Sequence, residues 1–335
     1  MSGPVSDLAG GPAGGRADGP GCGAILAALA RRYAFGDLAE LVDDDRVRAL
    51  CVFGQRLLDL DAEDFGAAVP RASAVPRDLV ARAAACHVPQ TARERPRGAL
   101  ASLRPVYALL LEVIEARWRR REMSAVISAL HIAAEYLPLL AWETVLGHAG
   151  DPARWPAGFA GPGSRFGAVG DRECAHNRSQ QSAAERTLRV AAEPPPGWRA
   201  YLDRQHSHVA HALAVCAGVC RRPCAAVAWL GDSRASLGER CRVALSFGDS
   251  ALVRLRHAAP VGHGFGVPSP EEVLEAWAHT REVLSRTRVG RAAATEDSYP
   301  LPGLPALVSA VAATPIVPST LLADVAGHIA AALPA

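Results

Sequence analysis

The sequence predicts an all-α fold, a multi-helix bundle behind a disordered N-terminal tail. Two observations carry this. From Ala24 onward, apolar residues recur at three-to-four spacing over most of the chain, the period of a helix with one buried face. The breaks between those stretches are short and rich in Gly, Asp and Pro. A third observation opposes them. Val243, Leu245 and Phe247 alternate before Gly248-Asp249-Ser250, and Val253 and Leu255 alternate after it, so a small β-hairpin is open over 243–256. Two short helices capped at Asp249 fit the same residues.

Residues 1–22 hold Gly, Pro, Ser and Asp with few large side chains, too little apolar surface to offset the entropy of ordering. Residues 23–150 form an N-terminal helical part. Ile25, Leu26 and Leu29 begin it, and Leu50, Phe53, Leu57 and Leu60 continue it. A helix from Arg77 closes at His87, before Val88-Pro89. The block 99–148 is the strongest. Pro105 suits a first turn, and Met123, Val126, Ile127, Leu130, Ala134 and Leu137 make one stripe, which Pro138 is expected to kink or end.

The Gly/Pro-rich stretch 152–170 is the best boundary. Residues 151–335 are expected to form a C-terminal helical part packed on the first as one globular unit. Within it, Pro194-Pro195-Pro196-Gly197 precedes a helix from Trp198 to about Cys220. Ser269-Pro270-Glu271-Glu272 reads as a capping box opening a helix to about Thr287. Pro318-Ser319 opens a last helix through Ile329. Gly-Asp dipeptides at 36, 150, 170, 231 and 248 are expected at helix–helix joints, the Gly closing one helix and the Asp opening the next.

Composition excludes some functions. The 335 residues carry a formal net charge of +2, so a general polyanion such as nucleic acid is not an expected partner. Every basic Lys/Arg position is arginine, and the run Arg117-Trp118-Arg119-Arg120-Arg121 reads as a solvated helix face. No apolar run reaches the roughly 20 residues of a membrane span, and no secretory signal opens the chain. A cytoplasmic location, with no membrane partner, is the expectation. The eight cysteines read as buried small hydrophobes. A homo-oligomer is compatible with the sequence.

Three histidines stand on the helix before Cys220. Projected at 3.6 residues per turn, His211 falls on a polar side with Arg204, Ser207 and Gly218, and His206 on the flank of the main stripe. His208 aligns with Tyr201, Ala212, Val215 and Val219, an apolar face of mostly small residues around one imidazole. That is a surface for a flat cofactor such as haem, with His208 as axial metal ligand, His206 and His211 being the fallbacks. A core histidine is the plain alternative. His87 either complements a helix C-terminus or points into a pocket with Tyr107 and Trp118.

Other groups compete. His131 and Glu135 are four apart, Glu143 and His148 follow, and Glu173-Cys174-Ala175-His176 reads E-x-x-H, raising a non-haem metal site. A surface His–Glu pair explains His131 and Glu135 as well. Cys216, Cys220, Cys224 and Cys241 match no common zinc or iron–sulfur spacing. Gly262-His263-Gly264-Phe265-Gly266 could hold an anion on backbone N–H groups, or be a turn.

With these residues in view, the chain resembles the histidine-ligated haem oxygenases of the tryptophan-dioxygenase superfamily, in particular the haem-dependent tyrosine hydroxylases of bacterial natural-product pathways. Size, helical character, His87 followed by Trp118, and the later helix bearing His208 carry the likeness, over roughly residues 75–220. The resemblance implies His208 as axial ligand of the haem iron and His87 as the distal catalytic residue that orients the oxidant. Tyr107 and Trp118 would line the pocket of a small aromatic substrate. The chain departs from the family in lacking a glycine-rich substrate loop, for which Ala312-Ala313-Thr314-Pro315 is a distant stand-in, and it has no C-x-x-C-H run. The leading expectation is therefore a haem-dependent monooxygenase or peroxygenase-type oxidoreductase that hydroxylates or oxygenates an aromatic small molecule. The alternatives are a non-catalytic helical binding or regulatory protein, and a non-haem metal enzyme using His131, Glu135, Glu173 and His176.

Overall fold

The computed structural model describes residues 21–61, 74–87, 102–147, 214–220 and 230–333, the side chains of Leu146 and Val261 apart. Residues 1–20 of the expected tail, the boundary at 152–170 and the histidines at 206, 208 and 211 lie outside the described residues, while Cys22, placed in the tail, opens the first helix. Within them every regular element is helical. The helices are α1 (Cys22–Arg31), α2 (Phe35–Leu41), α3 (Asp45–Leu58), α4 (Arg77–Ala85), α5 (Arg104–Arg119), α6 (Met123–Leu146), α7 (Ser233–Gly248), α8 (Ala251–Arg254), α9 (Pro270–Leu284), α10 (Leu304–Ala312) and α11 (Leu321–Ala332). Residues 214–218 add a further helical stretch.

The all-α expectation holds, and the β alternative at 243–256 does not. That stretch is the end of α7, then α8, then a 3₁₀ turn at Leu255–His257. Its alternation is a coincidence of helical faces, since Val243, Ala244 and Phe247 are all buried on one side of α7. The cap between α7 and α8 is Ser250, whose hydroxyl accepts from Val253 N–H, and not Asp249.

Two apolar cores share α5. Tyr107, Leu110, Leu111 and Ile114, at i, i+3, i+4 and i+7, face a large core built with α6, α7, α8, α9, α10 and residues 214–220. Leu109, Val113 and Ala116 face a second core made by α1, α2, α3 and α4. The last helix, α11, closes this second core with Leu321, Leu322, Val325, Ala326 and Ile329. The C-terminal helix thus belongs with the N-terminal core, across the boundary drawn from sequence.

α6 continues eight residues past Pro138, which neither ends it nor marks its boundary. The buried run Leu139, Leu140, Ala141 and Trp142 gives the helix more to gain by continuing than one lost backbone hydrogen bond costs. α6 is also the one described helix long and apolar enough to cross a membrane, but 61% of that window is buried inside the protein, as in a core helix. The Gly-Asp dipeptides at 231 and 248 stand beside helix ends, but neither Asp side chain opens the next helix, since Asp232 makes no side-chain cap bond at α7 and Ser250 caps α8. Gly36-Asp37 lies inside α2.

Helix ends are satisfied from neighbouring elements. Arginines reach the carbonyls at C-terminal ends. Arg120 donates to Arg32 and Tyr33 O after α1, Arg48 to Ala39 and Val42 O at the end of α2, and Arg117 to Leu58 O in α3. Two glutamates do the same at N-terminal ends that lack a side-chain cap of their own. Glu143 on α6 accepts from Ser102 Oγ (2.7 Å) and Leu103 N–H (2.8 Å) at the start of α5. Glu112 on α5 accepts from Ala323 N–H (3.0 Å) at the start of α11. The arginines at C-termini and the Glu143 carboxylate at the start of α5 complement the helix dipoles, and the orphan backbone groups gain partners.

Candidate functional site

The structure places the sequence-predicted residues as follows. Tyr107 is a core side chain, 1% exposed, and its hydroxyl donates to Ala133 O on α6 at 2.6 Å. Burial pushes its phenol well above the ordinary range. Trp118 is half-buried on the same face of α5, three turns on and about 16 Å along the axis. His87 follows α4, which packs on the other face of α5, where the Cys86 thiol meets Pro105 O at 3.4 Å. Tyr107 and Trp118 therefore look into one core while α4, with His87 at its end, borders the other. The structure does not bring them to one surface on which a haem could lie. His208, His206 and His211 lie outside the described residues, as do His148, Glu173, Cys174, His176 and Cys224.

His131 and Glu135 do meet, with Nε2 and Oε1 3.4 Å apart. A third partner makes the pair a poor metal site, because the Arg256 guanidinium lies against both ring nitrogens of His131. Burial lowers the pKa of that imidazole and Arg256 lowers it further, against the opposing pull of Glu135. Glu143 is taken by its capping role and by Arg104, 3.1 Å away. Among the described residues no three His, Cys, Asp or Glu side chains are grouped as for a metal ion. Cys216, Cys220 and Cys241 are buried in the large core, as expected of small hydrophobes. The glycine-rich loop uses its own N–H groups. Gly264 donates to Ala259 O and Gly266 to Ala258 O, which removes both as anion ligands.

Residues 214–220 are the described end of the stretch predicted as a helix from Trp198. They dock on α7 through Gly218 and Gly238. A Cβ added at Gly238 would stand 2.5 Å from Ala217 O, and one at Gly218 would stand 2.8 Å from Gly238 O. Arg234 and Arg242, four residues either side of Gly238, donate to Cys220 O and Gly218 O. The projection that put Gly218 on a polar side is corrected here. Gly218 itself makes a backbone-to-backbone contact with Gly238, possible because neither residue has a side chain. The apolar stripe fits its described end, with Cys216 and Cys220 buried, and on the face assigned to His208 Val215 is buried while Val219 is exposed.

The chemically most unusual group was not singled out from sequence. Arg240 lies two positions from Gly238, about 200° round α7, and points between α6 and α10. It is 6% exposed. One nitrogen, Nη1, carries all its contacts, donating to Thr144 Oγ1 (2.9 Å), Ala141 O (3.1 Å) and Val311 O (3.3 Å). Nε is fully enclosed with no acceptor, and Nη2 makes no hydrogen bond among the described residues. No carboxylate pairs with Arg240 among them. Desolvation, the largest influence on it, depresses the guanidinium pKa. Nε–H and Nη2–H form the parallel edge with which arginine grips two oxygens of a carboxylate or phosphate, and here that edge is unused. Thr144, at its flank, is exposed. The only sequence signal was an arginine at a position with the period of buried residues: Leu237, Arg240, Cys241, Ala244.

No protein-family model, curated protein or solved structure matches this chain.

Proposed function

We propose that this is a helical binding protein for a small anionic molecule, in the cytoplasm, and that Arg240 takes the carboxylate or phosphate group of the ligand. The observation that supports this reading is the guanidinium itself: nearly buried, charged, and among the described residues without an acid partner and with its bidentate edge unbonded. A buried charge without a counterion is costly. The Ala141 and Val311 carbonyls and the Thr144 hydroxyl offset part of that cost at Nη1, and an anion on the Nε/Nη2 edge would offset the rest.

The haem-dependent oxygenase is the second reading. Val215, buried on the face to which His208 projects, favours it. Its described companions His87, Tyr107 and Trp118 do not share a surface, so no step is assigned to them.

Both readings are tested on one purified sample. Thermal unfolding is followed with sodium acetate, sodium benzoate or inorganic phosphate against sodium chloride of equal ionic strength. A ligand at ten times its Kd adds about 1.4 kcal/mol, a rise of roughly 2 °C for a chain of this size. The rise is expected in the wild type, reduced in Arg240→Lys and absent in Arg240→Met. Equal shifts in wild type and Arg240→Met, or none with any anion, would show that Arg240 only caps helices. The absorption spectrum tests the second reading. A Soret band lost in His208→Ala and kept in His211→Ala supports it, whereas a colourless protein that takes up no added haem removes it.

A further inference from the structure

Glu112 is buried to the same degree as Glu143, each 5% exposed, and the two do the same job at different helix starts. Their surroundings differ. Glu143 has the Arg104 guanidinium beside it and both oxygens bonded. Glu112 accepts from Ala323 N–H through Oε1, with the Leu321 and Leu322 N–H groups and the Ser319 hydroxyl also turned to it, while Oε2 is enclosed without a partner. No cation bonds it among the described residues.

The groups around Glu112 offer its charge little help. From α4, Arg82 is committed to Asp324 (2.6 Å) and Thr320 Oγ1 (3.0 Å) on α11. The Cys86 thiol, also on α4, is pushed up to about 12 by burial, and Glu112 adds to the rise. From the turn between α1 and α2, the Tyr33 phenol is raised by burial and then by Glu112. On α5 itself, Glu115 is paired with Arg119 one turn on. On α11, Asp324 is held low by Arg82, and His328 is exposed. α3, which packs against α11, presents the Cys51 thiol, raised to about 11 by burial. The thiols and the phenol are neutral near pH 7.

We propose that the docking of α11 on α5 is a proton-sensitive latch, held while Glu112 is neutral and loosened when that carboxyl ionises. A neutral carboxyl can sit in an apolar site with one oxygen unbonded at modest cost, and an ionised one cannot. The opposing influence is the N-terminus of α11, whose N–H groups at Leu321, Leu322 and Ala323 favour the ion together with the Ser319 hydroxyl. Burial outweighs it, and the carboxyl is raised to about 7. The sign follows. A carboxyl whose folded pKa lies above its unfolded value contributes stability that is full below the unfolded pKa and falls as pH rises through the folded one. The latch is closed at acid pH and weakens through neutrality. Its two sides are far apart in sequence, so the switch couples the C-terminal helix to the N-terminal core.

Hydrogen exchange read by mass spectrometry tests it on the full chain, as protection factors corrected for the intrinsic pH dependence of exchange, with α6 as internal reference. With Glu112 titrating near 7 when docked and near 4.5 when undocked, protection of α11 amides is expected to fall about tenfold from pH 6 to pH 8.5. α6 should not change. Glu112→Gln, uncharged throughout, should hold α11 protection constant, and His328→Gln should keep the wild-type fall. Constant protection in the wild type overturns the latch. An equal fall in Glu112→Gln, or a fall abolished by His328→Gln, assigns the pH dependence to another group and overturns it as well. The wild-type measurement stands if Glu112→Gln does not fold.

Discussion

Tyr107 and Arg240 show what residue type tells and what it leaves out. A tyrosine near a histidine reads as a pocket residue, yet the Tyr107 hydroxyl is spent on Ala133 O inside the core. Arginine in a helix reads as surface, yet Arg240 is buried among Ala141, Thr144 and Val311. In each case the deciding fact is where the polar tip ends, which depends on a backbone carbonyl tens of residues away. Sequence could place Tyr107 on an apolar face but not find that partner. Tyr107→Phe should destabilise the protein by about 1 kcal/mol, the net worth of one buried neutral hydrogen bond, since Ala133 O keeps its place in α6 and the ring still fills its site. Urea unfolding measures this. A loss above about 3 kcal/mol would mean that the hydroxyl holds more than Ala133.

At the scale of elements, local rules were legible and trans rules were not. The capping box was readable because all its atoms lie within four residues, and Ser269 and Glu272 form it. Pro105 opens α5 as its fixed φ predicts. Of the two outcomes expected at Pro138, a kink or an end, the end does not occur, because tertiary burial of Leu139–Trp142 favours continuation. The caps supplied by Glu112, Glu143 and the arginines left no signature, since donor and acceptor belong to different helices. The Gly218–Gly238 contact is of this kind too, and it carries a prediction. In Gly238→Ala the new methyl would lie 2.5 Å from Ala217 O, a backbone atom that cannot rotate away. The 214–218 helix must then move off α7, stretching the bonds from Arg234 and Arg242. A destabilisation of about 1–3 kcal/mol is expected, as for overpacking, with hydrogen exchange rising at 214–220 before it rises in α9. Gly248→Ala is the control, because a Cβ there meets nothing within 4 Å. Equal effects of the two substitutions would mean that the close approach does not matter.

In the whole molecule, α5 is shared by two cores, and the chain closes the first with its last helix. The bond between Arg82 and Asp324 spans 242 positions, so the N-terminal core cannot be completed until the C-terminus has arrived. No reading of one sequence by local pattern could assign α11 to that core, because its stripe of Leu321, Leu322, Val325 and Ile329 fits any apolar groove. The magnitudes predict what its removal would do. Those four side chains are 0% exposed, and burying each is worth about 1.5–3 kcal/mol, together roughly 6–12 kcal/mol as an upper range. A whole domain of ordinary stability has only about 5–15 kcal/mol. A chain ending at Pro318 should therefore lose the structure of α1–α4 while the large core around α6, α7 and α9 persists. Hydrogen exchange should show α3 and α4 unprotected and α6 protected, with far-UV circular dichroism reduced by a part of its helical signal. A synthetic peptide of residues 319–333, added in excess, should restore protection to α3 and α4, and restore it less at pH 8.5 than at pH 6 if Glu112 acts as a latch. Retained protection of α3 and α4 in the truncated chain would show that the N-terminal core stands alone. Loss of protection in α6 as well would show that the two cores unfold as one through α5.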